Sequence, residues 1–190
     1  MILSKYILVV VGSTLFHGAI TLPLILWLVT RISPWTFFHG MKEALITAFS
    51  TSSSAATLPV SLRCLTQNLG VHDSIARFVL PVGATLNMDG TAMYEAMAAL
   101  FVANLCAVPL SLPSQIVVVL TAMAASVGAP GIPSAGMVTM IMVLQSVGLP
   151  AQAVAILIAI DRPLDTIRTA VNVEGDCIGA CVVQKATLFH

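Results

Sequence analysis

The sequence predicts an all-α membrane protein, and its composition is the first observation behind that prediction. Of the 190 residues, 58% are hydrophobic and 8% are charged, whereas about a quarter of the residues in a soluble domain are charged. From residue 96 to residue 160 the chain contains no Lys, Arg, Asp, Glu or His. Because the net charge is zero and no basic patch is present, nucleic-acid binding is not indicated.

Polar motifs that interrupt apolar stretches are the second observation, and their order predicts five segments. These are a spanning helix, a re-entrant hairpin, a broken spanning helix, a second re-entrant hairpin and a polar spanning helix, over residues 1–32, 33–70, 71–109, 110–149 and 150–190. A hairpin followed by a span therefore occurs twice. Paired interruptions in matching positions are typical of an inverted-repeat transporter core, with a binding site between the repeats.

The first segment is predicted to be one long spanning helix. Residues 1–30 are apolar apart from Lys5 and His17, and this length exceeds the hydrophobic region of a signal peptide. Proline has no N–H to donate within a helix, so Pro23 is expected to kink or end this one.

Each predicted hairpin consists of two half-length apolar arms joined by a polar tip. About 15 residues rise only about 22 Å, which is less than the bilayer hydrocarbon thickness of about 30 Å. The first tip, residues 50–57, is a run of small polar residues, and the second, residues 126–136, contains two prolines and three glycines. Irregular backbone at that depth is tolerated only against protein or a water-filled cavity.

The broken helix and the last helix carry the remaining polar residues. Asn87-Met88-Asp89-Gly90 interrupts an apolar stretch that begins near His72. At 100° per residue, the polar side chains of the last helix share one face about 100° wide; they are Asp161, Asp165, Arg168, Thr169, Asn172 and Asp176. Charged and amide groups are costly at membrane depth, so these residues are predicted to form a functional site.

The residue types at these positions favour a zwitterionic ligand and a small, hard cation. Asp165 is suited to an ammonium group, and the guanidinium of Arg168 is suited to bidentate binding of a carboxylate. Ser53 and Ser54, with the amides of the hairpin tip, are suited to a second carboxylate. Two further aspartates and backbone carbonyls freed near the breaks offer oxygen ligands for Na⁺, and the sequence shows no clustered His or Cys for a transition metal.

Four motifs follow one another along the chain: Ser52-Ser53-Ser54 with Thr57-Leu58-Pro59, then Asn87-Met88-Asp89-Gly90-Thr91 with Tyr94-Glu95, then Gly131-Ile132-Pro133 with Ala135-Gly136, then the polar series of the last helix ending at Gly175-Asp176. In this order they resemble the motifs of the dicarboxylate/amino acid:cation symporter family, which includes the excitatory amino acid transporters. The resemblance covers essentially the whole chain.

The resemblance implies a Na⁺-coupled symporter for glutamate and aspartate that is not an enzyme and uses no cofactor beyond coupling ions. The implied substrate-binding residues are Ser52, Ser53, Ser54, Thr91, Ile132, Asp165, Arg168, Thr169 and Asn172. The implied Na⁺ ligands are Gly83, Asn87, Asn172 and Asp176 for one ion, Thr85 with Ser126, Val127 and Ala129 for another, and Asp89 for a third. Glu95 stands where acidic-substrate members carry a glutamate for proton and K⁺ coupling.

The resemblance also implies a setting for the protein. It would be a multi-pass protein of the lipid bilayer, at the plasma membrane, and the full-length protein would be a homotrimer. The chain resembles the family only from its sixth span onward, so it is expected to be a fragment, with most of the mobile core and without the trimer scaffold. Arg162-Pro163 departs from the family pattern, which has a Trp and an apolar residue there.

Three alternatives to acidic amino acid symport stay open. One is a neutral amino acid exchanger of the same family, because Glu174 is more typical of neutral members. Another is a truncated product that does not transport and only associates with full-length subunits. The third is an intramembrane serine protease, which needs a His beside its Ser; the histidines are expected to lie away from the motif tips, namely His17, His39, His72 and His190.

Overall fold

The computed structural model describes residues 2–187, and regular structure in that range is helical, without strands. The helices are α1 (Ile2–Phe16), α2 (Leu22–Thr30), α3 (Pro34–Thr51), α4 (Ser54–Asn68), α5 (Asp73–Leu86), α6 (Asp89–Leu105), α7 (Leu112–Val127), α8 (Gly136–Ser146) and α9 (Val154–Thr187). The ends of the first and last predicted segments, Met1 and residues 188–190 with His190, lie outside the described residues.

The first predicted span is a continuous helical segment with one irregular turn. A π-helical turn, His17–Thr21, joins α1 to α2, and the N–H of Leu22 donates to the carbonyl of His17. Pro23 follows one residue after this turn, where the wider helical turn accommodates the missing N–H of proline. The helix therefore continues past Pro23 to Thr30 instead of ending there.

The first hairpin has longer arms and a shorter tip than the sequence predicts. Only Ser52 and Ser53 separate α3 from α4; Ser52 has a left-handed backbone with φ of 50°, and the Ser53 hydroxyl caps α4 by accepting from the N–H of Ala56 at 3.1 Å. The small polar residues before the tip remain helical, and their hydroxyls donate to carbonyls one turn back, as Ser50 does to Ile46 at 2.7 Å; a helix can therefore satisfy these hydroxyls without a loop.

The break between α5 and α6 and the connection between α7 and α8 are shorter than the predicted polar interruptions. Between α5 and α6 only Asn87 and Met88 leave the helical conformation, so the break is shorter than the predicted residues 87–90. Asp89 is the first residue of α6, and its carboxylate accepts a hydrogen bond from the N–H of Gly90 at 2.9 Å. The second tip covers residues 128–135, since α7 continues to Val127 and α8 begins at Gly136.

Helix α9 belongs to two apolar cores at once. Its first part, with Leu157 and Leu164, packs with α1, α6, α7 and α8. Its last part, with Val173 and Cys177, packs with α2, α3, α4 and α5. The polar residues of α9 are buried at the junction of these cores, so the helix is buried nearly all round there instead of having a polar face and an open apolar face.

Large apolar side chains cover the outer surface. Trp35, Leu8 and Phe78 are at least 71% exposed, and such a surface is suited to lipid or to further protein segments. Within residues 2–187, one helical segment, Leu3–Thr30, is long and apolar enough to cross a membrane by length and composition. The apolar helices α7 and α8 are shorter than a bilayer crossing requires.

Replacement of Phe37 tests the second core, which α9 shares. Phe37 is fully buried in α3, so Phe37→Ala leaves a cavity and is expected to lower the free energy of unfolding by about 3–5 kcal/mol. Phe78→Ala is the matched control, because Phe78 is 71% exposed, and it is expected to change that free energy by less than about 1 kcal/mol. Denaturation in mixed detergent micelles measures both. Equal losses in the two variants would contradict the assigned core.

Candidate ligand-binding site

A pocket lies where the two hairpin tips, the broken helix and α9 meet. Every substrate-binding residue implied by the family resemblance lines it except Ser53; the lining includes Ser52, Ser54, Thr91, Ile132, Asp165, Arg168, Thr169 and Asn172. Residues that lie as far apart in the chain as Ser52 and Asn172 therefore meet at one place. The sequence predicts this grouping, and the structure brings the side chains together.

Ser53 lies at the contact between the two hairpin tips. Its hydroxyl donates to the carbonyl of Gly131 at 2.8 Å, and the N–H of Ala55 donates to the same carbonyl at 3.1 Å. A Cβ on Gly131 would lie 3.0 Å from the carbonyl oxygen of Ala84, so glycine allows the tips to approach the end of α5. Ser53 thus holds the tips together, whereas the buried Ser52 hydroxyl has no partner among the described residues.

Arg168 is the buried cation of the pocket, with 3% of its side chain exposed. Its Nη2 donates to Asp165 Oδ1 at 2.6 Å and lies 3.4 Å from Asp161 Oδ1. The guanidinium carbon lies 4.2 Å from the ring centroid of Tyr94, within reach of a cation–π interaction. Nη1 has no hydrogen-bond partner in residues 2–187. A buried donor without a partner is costly, and a ligand carboxylate would satisfy it.

Asp165 is engaged on both oxygens. Besides the bond from Arg168 to Oδ1, the N–H of Ser134 donates to Oδ2 at 2.9 Å, so the second tip is fastened to α9. Arg162 Nη1 lies 3.8 Å from the same Oδ2. Arg162 and Arg168 each lie three residues from Asp165 in α9, a spacing at which helical side chains are neighbours, whereas the chain spacing gives no sign of the contact from Ser134.

Asn172 links α9 to the break in the other helix. Its Oδ1 accepts the N–H of Gly90 at 2.8 Å, and its Nδ2 donates to Thr91 Oγ1 at 3.1 Å. The side chain of Asn87 reaches back, with its Nδ2 3.4 Å from the carbonyl oxygen of Asn172. The first of these bonds pairs the N–H of Gly90, a backbone group in the first turn after the break.

The first set of implied Na⁺ ligands lies close together. Asn87 Nδ2 donates to Asp176 Oδ1 at 3.1 Å, and a Cβ on Gly83 would lie 2.5 Å from that carboxylate oxygen. Gly83 and Asp176 are thus as close as a glycine allows, and Asn172 adjoins through its carbonyl. A buried carboxylate beside a backbone carbonyl supplies the oxygen ligands that suit a hard cation.

The second set is less assembled. The hydroxyl of Thr85, which is exposed, donates to the carbonyl of Val82 at 3.0 Å within its own helix. The carbonyl of Ser126 accepts the N–H of Ala129 at 3.0 Å, Val127 is exposed, and Ala129 lines the pocket. These contacts place the implied ligands at the ends of α5 and α7 without showing that they meet.

Asp89 is in contact with a histidine from the first span. His17 Nε2 lies 2.6 Å from Asp89 Oδ2, so His17 is in contact with the broken-helix motif instead of lying apart from the motifs as the sequence suggests. A Cβ on Gly175 would lie 3.5 Å from the same oxygen. Glu174 is buried beside Gly18, and its Oε1 has no partner in the described part of the chain. The third implied Na⁺ ligand is therefore already in contact with a histidine side chain.

Glu95 lies in the first core, behind the pocket. It is fully buried and accepts a hydrogen bond from the hydroxyl of Thr139 in α8, while its Oε2 has no partner among residues 2–187. Its neighbour in the chain, Tyr94, presents its ring to Arg168. Glu95 is thus one residue removed from the side chain that contacts the buried cation.

Comparison with known proteins identifies the family. The chain matches the model of the Sodium:dicarboxylate symporter family over residues 1–186. The chain belongs to that family. It is 53% identical to excitatory amino acid transporter 1 of Rattus norvegicus over 182 residues, which is 96% of this chain and 34% of the relative. It is 53% identical to human excitatory amino acid transporter 2 over 181 residues, 95% of this chain and 32% of the relative.

These matches confirm the family that the motifs predict, and they confirm that the chain is a member of a transporter family and not an enzyme. Excitatory amino acid transporter 4 of Mus musculus is 54% identical over 182 residues, 96% of this chain and 32% of the relative. The chain spans about a third of the length of the curated relatives it matches. Membership also makes Na⁺ the expected coupling ion and the membrane the expected environment.

Substitution at Gly83 tests the cation site. A Cβ there would collide with Asp176. Gly83→Ala is therefore expected to raise the Na⁺ concentration that gives half of the maximal stabilisation, by at least about tenfold. Asp176→Asn should act in the same direction, through the lost ligand charge. The readout is the melting temperature in NaCl against choline chloride.

Gly12→Ala is the matched control, since a Cβ on Gly12 would meet no atom within 4 Å in the described part of the chain. It should leave the Na⁺ titration unchanged. An unchanged Na⁺ titration in both Gly83→Ala and Asp176→Asn would show that Gly83 and Asp176 do not belong to a cation site.

Proposed function

We propose that this chain forms the substrate-binding core of a Na⁺-coupled symporter for acidic amino acids, glutamate and aspartate. The observation that carries the proposal is the buried guanidinium of Arg168, which lines the pocket with Nη1 free of partners in residues 2–187. Family membership and the printed names of the relatives support it.

The pocket has suitable groups for each part of an acidic amino acid. Arg168 Nη1 would take the side-chain carboxylate, and Asp165 would take the α-ammonium. Ser52, whose hydroxyl is unpartnered among the described residues, and the amides of the hairpin tips would take the α-carboxylate. Ser54, Thr91, Ile132, Thr169 and Asn172 would complete the wall, while Ser53 would act mainly by holding the tips together.

Coupling ions would bind beside the substrate. The donor chemistry fits Na⁺ best at Gly83, Asn87, Asn172 and Asp176. We propose a second ion at Thr85 with the carbonyls of Ser126, Val127 and Ala129, and a third at Asp89. Bound Na⁺ would supply positive charge that offsets the buried carboxylates. Glu95, buried one residue from Tyr94, is the proposed group for proton and K⁺ coupling.

The proposed setting is a bilayer with two re-entrant hairpins. The tips meet at Ser53 and Gly131 against α9, which is the protein surround that irregular backbone at membrane depth requires. Exposed apolar side chains such as Leu8 and Val138 would face lipid or the rest of a complete protein. Multi-pass insertion in the plasma membrane and a homotrimer of the complete protein are part of this proposal.

Arg168 is the residue that tests the substrate. Arg168→Cys removes the partner of the side-chain carboxylate, so binding of aspartate and glutamate is expected to weaken by about a hundredfold. Serine and alanine should gain affinity, since they carry no second carboxylate. Na⁺-dependent binding of radiolabelled amino acids to the full chain in lipid nanodiscs measures this.

Arg77→Gln is the matched control, because Arg77 lies on the exposed side of α5 in an ion pair with Asp73. It should bind aspartate like the unmodified protein. Unchanged aspartate affinity in Arg168→Cys would remove Arg168 from the substrate site.

Two alternatives are separated by simple extensions of this experiment. Higher affinity of the unmodified protein for serine or alanine than for aspartate would favour a neutral amino acid exchanger, for which buried Glu174 is the supporting observation. An uptake measurement tests the other alternative, a truncated product that does not transport. Alternating access needs one bundle of helices to move against another. We expect proteoliposomes with these 190 residues alone to bind aspartate without accumulating it. Accumulation there would contradict the need for further segments.

A further inference from the structure

One face of α3 carries, in order along the helix, an aromatic ring, two nitrogen-bearing side chains and two apolar side chains. Trp35, His39, Lys42, Ile46 and Phe49 follow one another at spacings of four and three residues, so they lie on the same side of α3. All five are exposed, Trp35 by 81% and Ile46 by 65%. This face is therefore open along about four turns of helix.

A hollow of about 570 Å³ lies beside the first half of this face. It is bounded by Trp35, His39 and Lys42 of α3 and by Asn68 of α4. The Nδ2 of Asn68 donates to the carbonyl of Gly40 at 2.7 Å, which joins the two arms of the first hairpin next to the hollow. The walls of the hollow therefore belong to two helices that are hydrogen-bonded to each other.

The hollow carries a positive charge that the described residues do not neutralise. Lys42 is exposed and has no hydrogen-bond or ion-pair partner in residues 2–187. Glu43, the carboxylate at the rim, is already paired with Arg63 Nη2 at 2.5 Å. The exposed imidazole of His39, which can donate a hydrogen bond, is also without a partner in this part of the chain. An anionic group with several oxygens would engage both side chains.

The whole end of the molecule around this hollow is positively charged. The base of the first hairpin adjoins the end of α9, where Gln184 Nε2 donates to the carbonyl of Gly70 at 3.2 Å. Five basic and two acidic side chains lie near this end: Arg31, Lys42, Arg63, Arg77 and Lys185, against Glu43 and Asp73. The connections at the other ends of the helices, residues 106–111 and 147–153, contain no charged residue. Positively charged connections favour the cytoplasmic side of a membrane, whose leaflet contains the anionic lipids.

The order of the side chains along α3 matches the order of the parts of a phospholipid. Trp35 is a residue type that is enriched where a membrane meets water. Helical side chains lean toward the N-terminus of their helix, so the Lys42 ammonium extends toward the hollow and the interface. Ile46 and Phe49, about one and two turns deeper, offer exposed apolar surface to an acyl chain. A soluble anion would fill the hollow and leave that apolar surface open.

We propose that this face of α3 binds an anionic phospholipid of the cytoplasmic leaflet, with its phosphate in the hollow at Lys42 and His39 and one acyl chain along Ile46 and Phe49. A zwitterionic phospholipid makes the same chain contacts without a net negative charge, so it binds this face more weakly. Lys42 precedes the tip residue Ser52 by ten residues, about 15 Å of helix. The lipid site is therefore separate from the ligand pocket, and it does not depend on the proposed function.

Tryptophan fluorescence tests the site, because the chain has two tryptophans and Trp27→Phe leaves Trp35 as the single emitter. The full chain in lipid nanodiscs receives phosphatidylserine or phosphatidylcholine that is brominated near the upper end of one acyl chain. Quenching of Trp35 gives the association constant of each lipid at this face, and phosphatidylserine is expected to bind more tightly. Lys42→Gln is expected to lower the ratio of the two constants about fivefold, the effect of one basic side chain near an anionic lipid surface.

Lys5→Gln in the same Trp27→Phe background is the matched control. Lys5 is exposed in α1, and about 40 Å of helix separates it from the end of α2. This variant loses the same charge as Lys42→Gln, and it should leave the ratio within about twofold of the parent protein. Added choline chloride should lower the preference for phosphatidylserine, because salt screens exposed charges.

Four results would overturn the proposal. The first is equal binding of the two lipids, or an unchanged ratio in Lys42→Gln. The second is an equal fall in Lys5→Gln, which would assign the preference to the total charge of the chain. The third is relief of quenching by millimolar inorganic phosphate at constant ionic strength, which would assign the hollow to a free anion. The fourth is exclusion of both lipids from Trp35 in a dimeric chain, which would assign the face to a second copy.

Discussion

The contacts at the centre of this structure depend on the burial of one guanidinium, that of Arg168. An unpaired charge cannot be removed from water without a large cost, so Arg168 requires negative partners at the junction of the two cores. Asp161 and Asp165 supply them from the same helix, and the ring of Tyr94 supplies a third contact from α6. These partners leave Nη1 without a hydrogen-bond partner among the described residues, and Arg168 lines the pocket.

The breaks in the other helices are explained by what they meet on α9. The Asn87–Met88 break places the N–H of Gly90 on Asn172, and the second hairpin tip places the N–H of Ser134 on Asp165. The first tip is fastened to the second through Ser53 and Gly131. Backbone groups freed from helices are thus paired with polar side chains or with one another, which is the condition for irregular structure inside a membrane.

Much of this arrangement could be predicted from the sequence because helical periodicity is a local property. The polar residues of α9 recur at intervals of three and four, so their common location is visible without a structure. The tip lengths could not be predicted in the same way. Ser50 and Thr51 have the composition of a loop, but their hydroxyls bond to carbonyls one turn back and the helix continues.

Contacts between distant helices could not be predicted from the helical periodicity of the sequence. His17 and Asp89 are separated by 72 residues, and nothing in either segment indicates that they meet. The same holds for the N–H of Ser134 on Asp165, which joins the second hairpin tip to α9. Side-chain packing, rather than the order of the helices, determines these details.

The central claim is that a ligand carboxylate completes the coordination of Arg168. Solid-state NMR can measure it as the dipolar coupling between ¹³C in the side-chain carboxylate of aspartate and ¹⁵N in arginine guanidinium groups. The Arg162→Gln variant is the background of choice, because it removes the neighbouring guanidinium. We expect a coupling that corresponds to a separation of about 4 Å, present in Na⁺ and abolished by unlabelled aspartate. Bound aspartate with no such coupling would contradict the account.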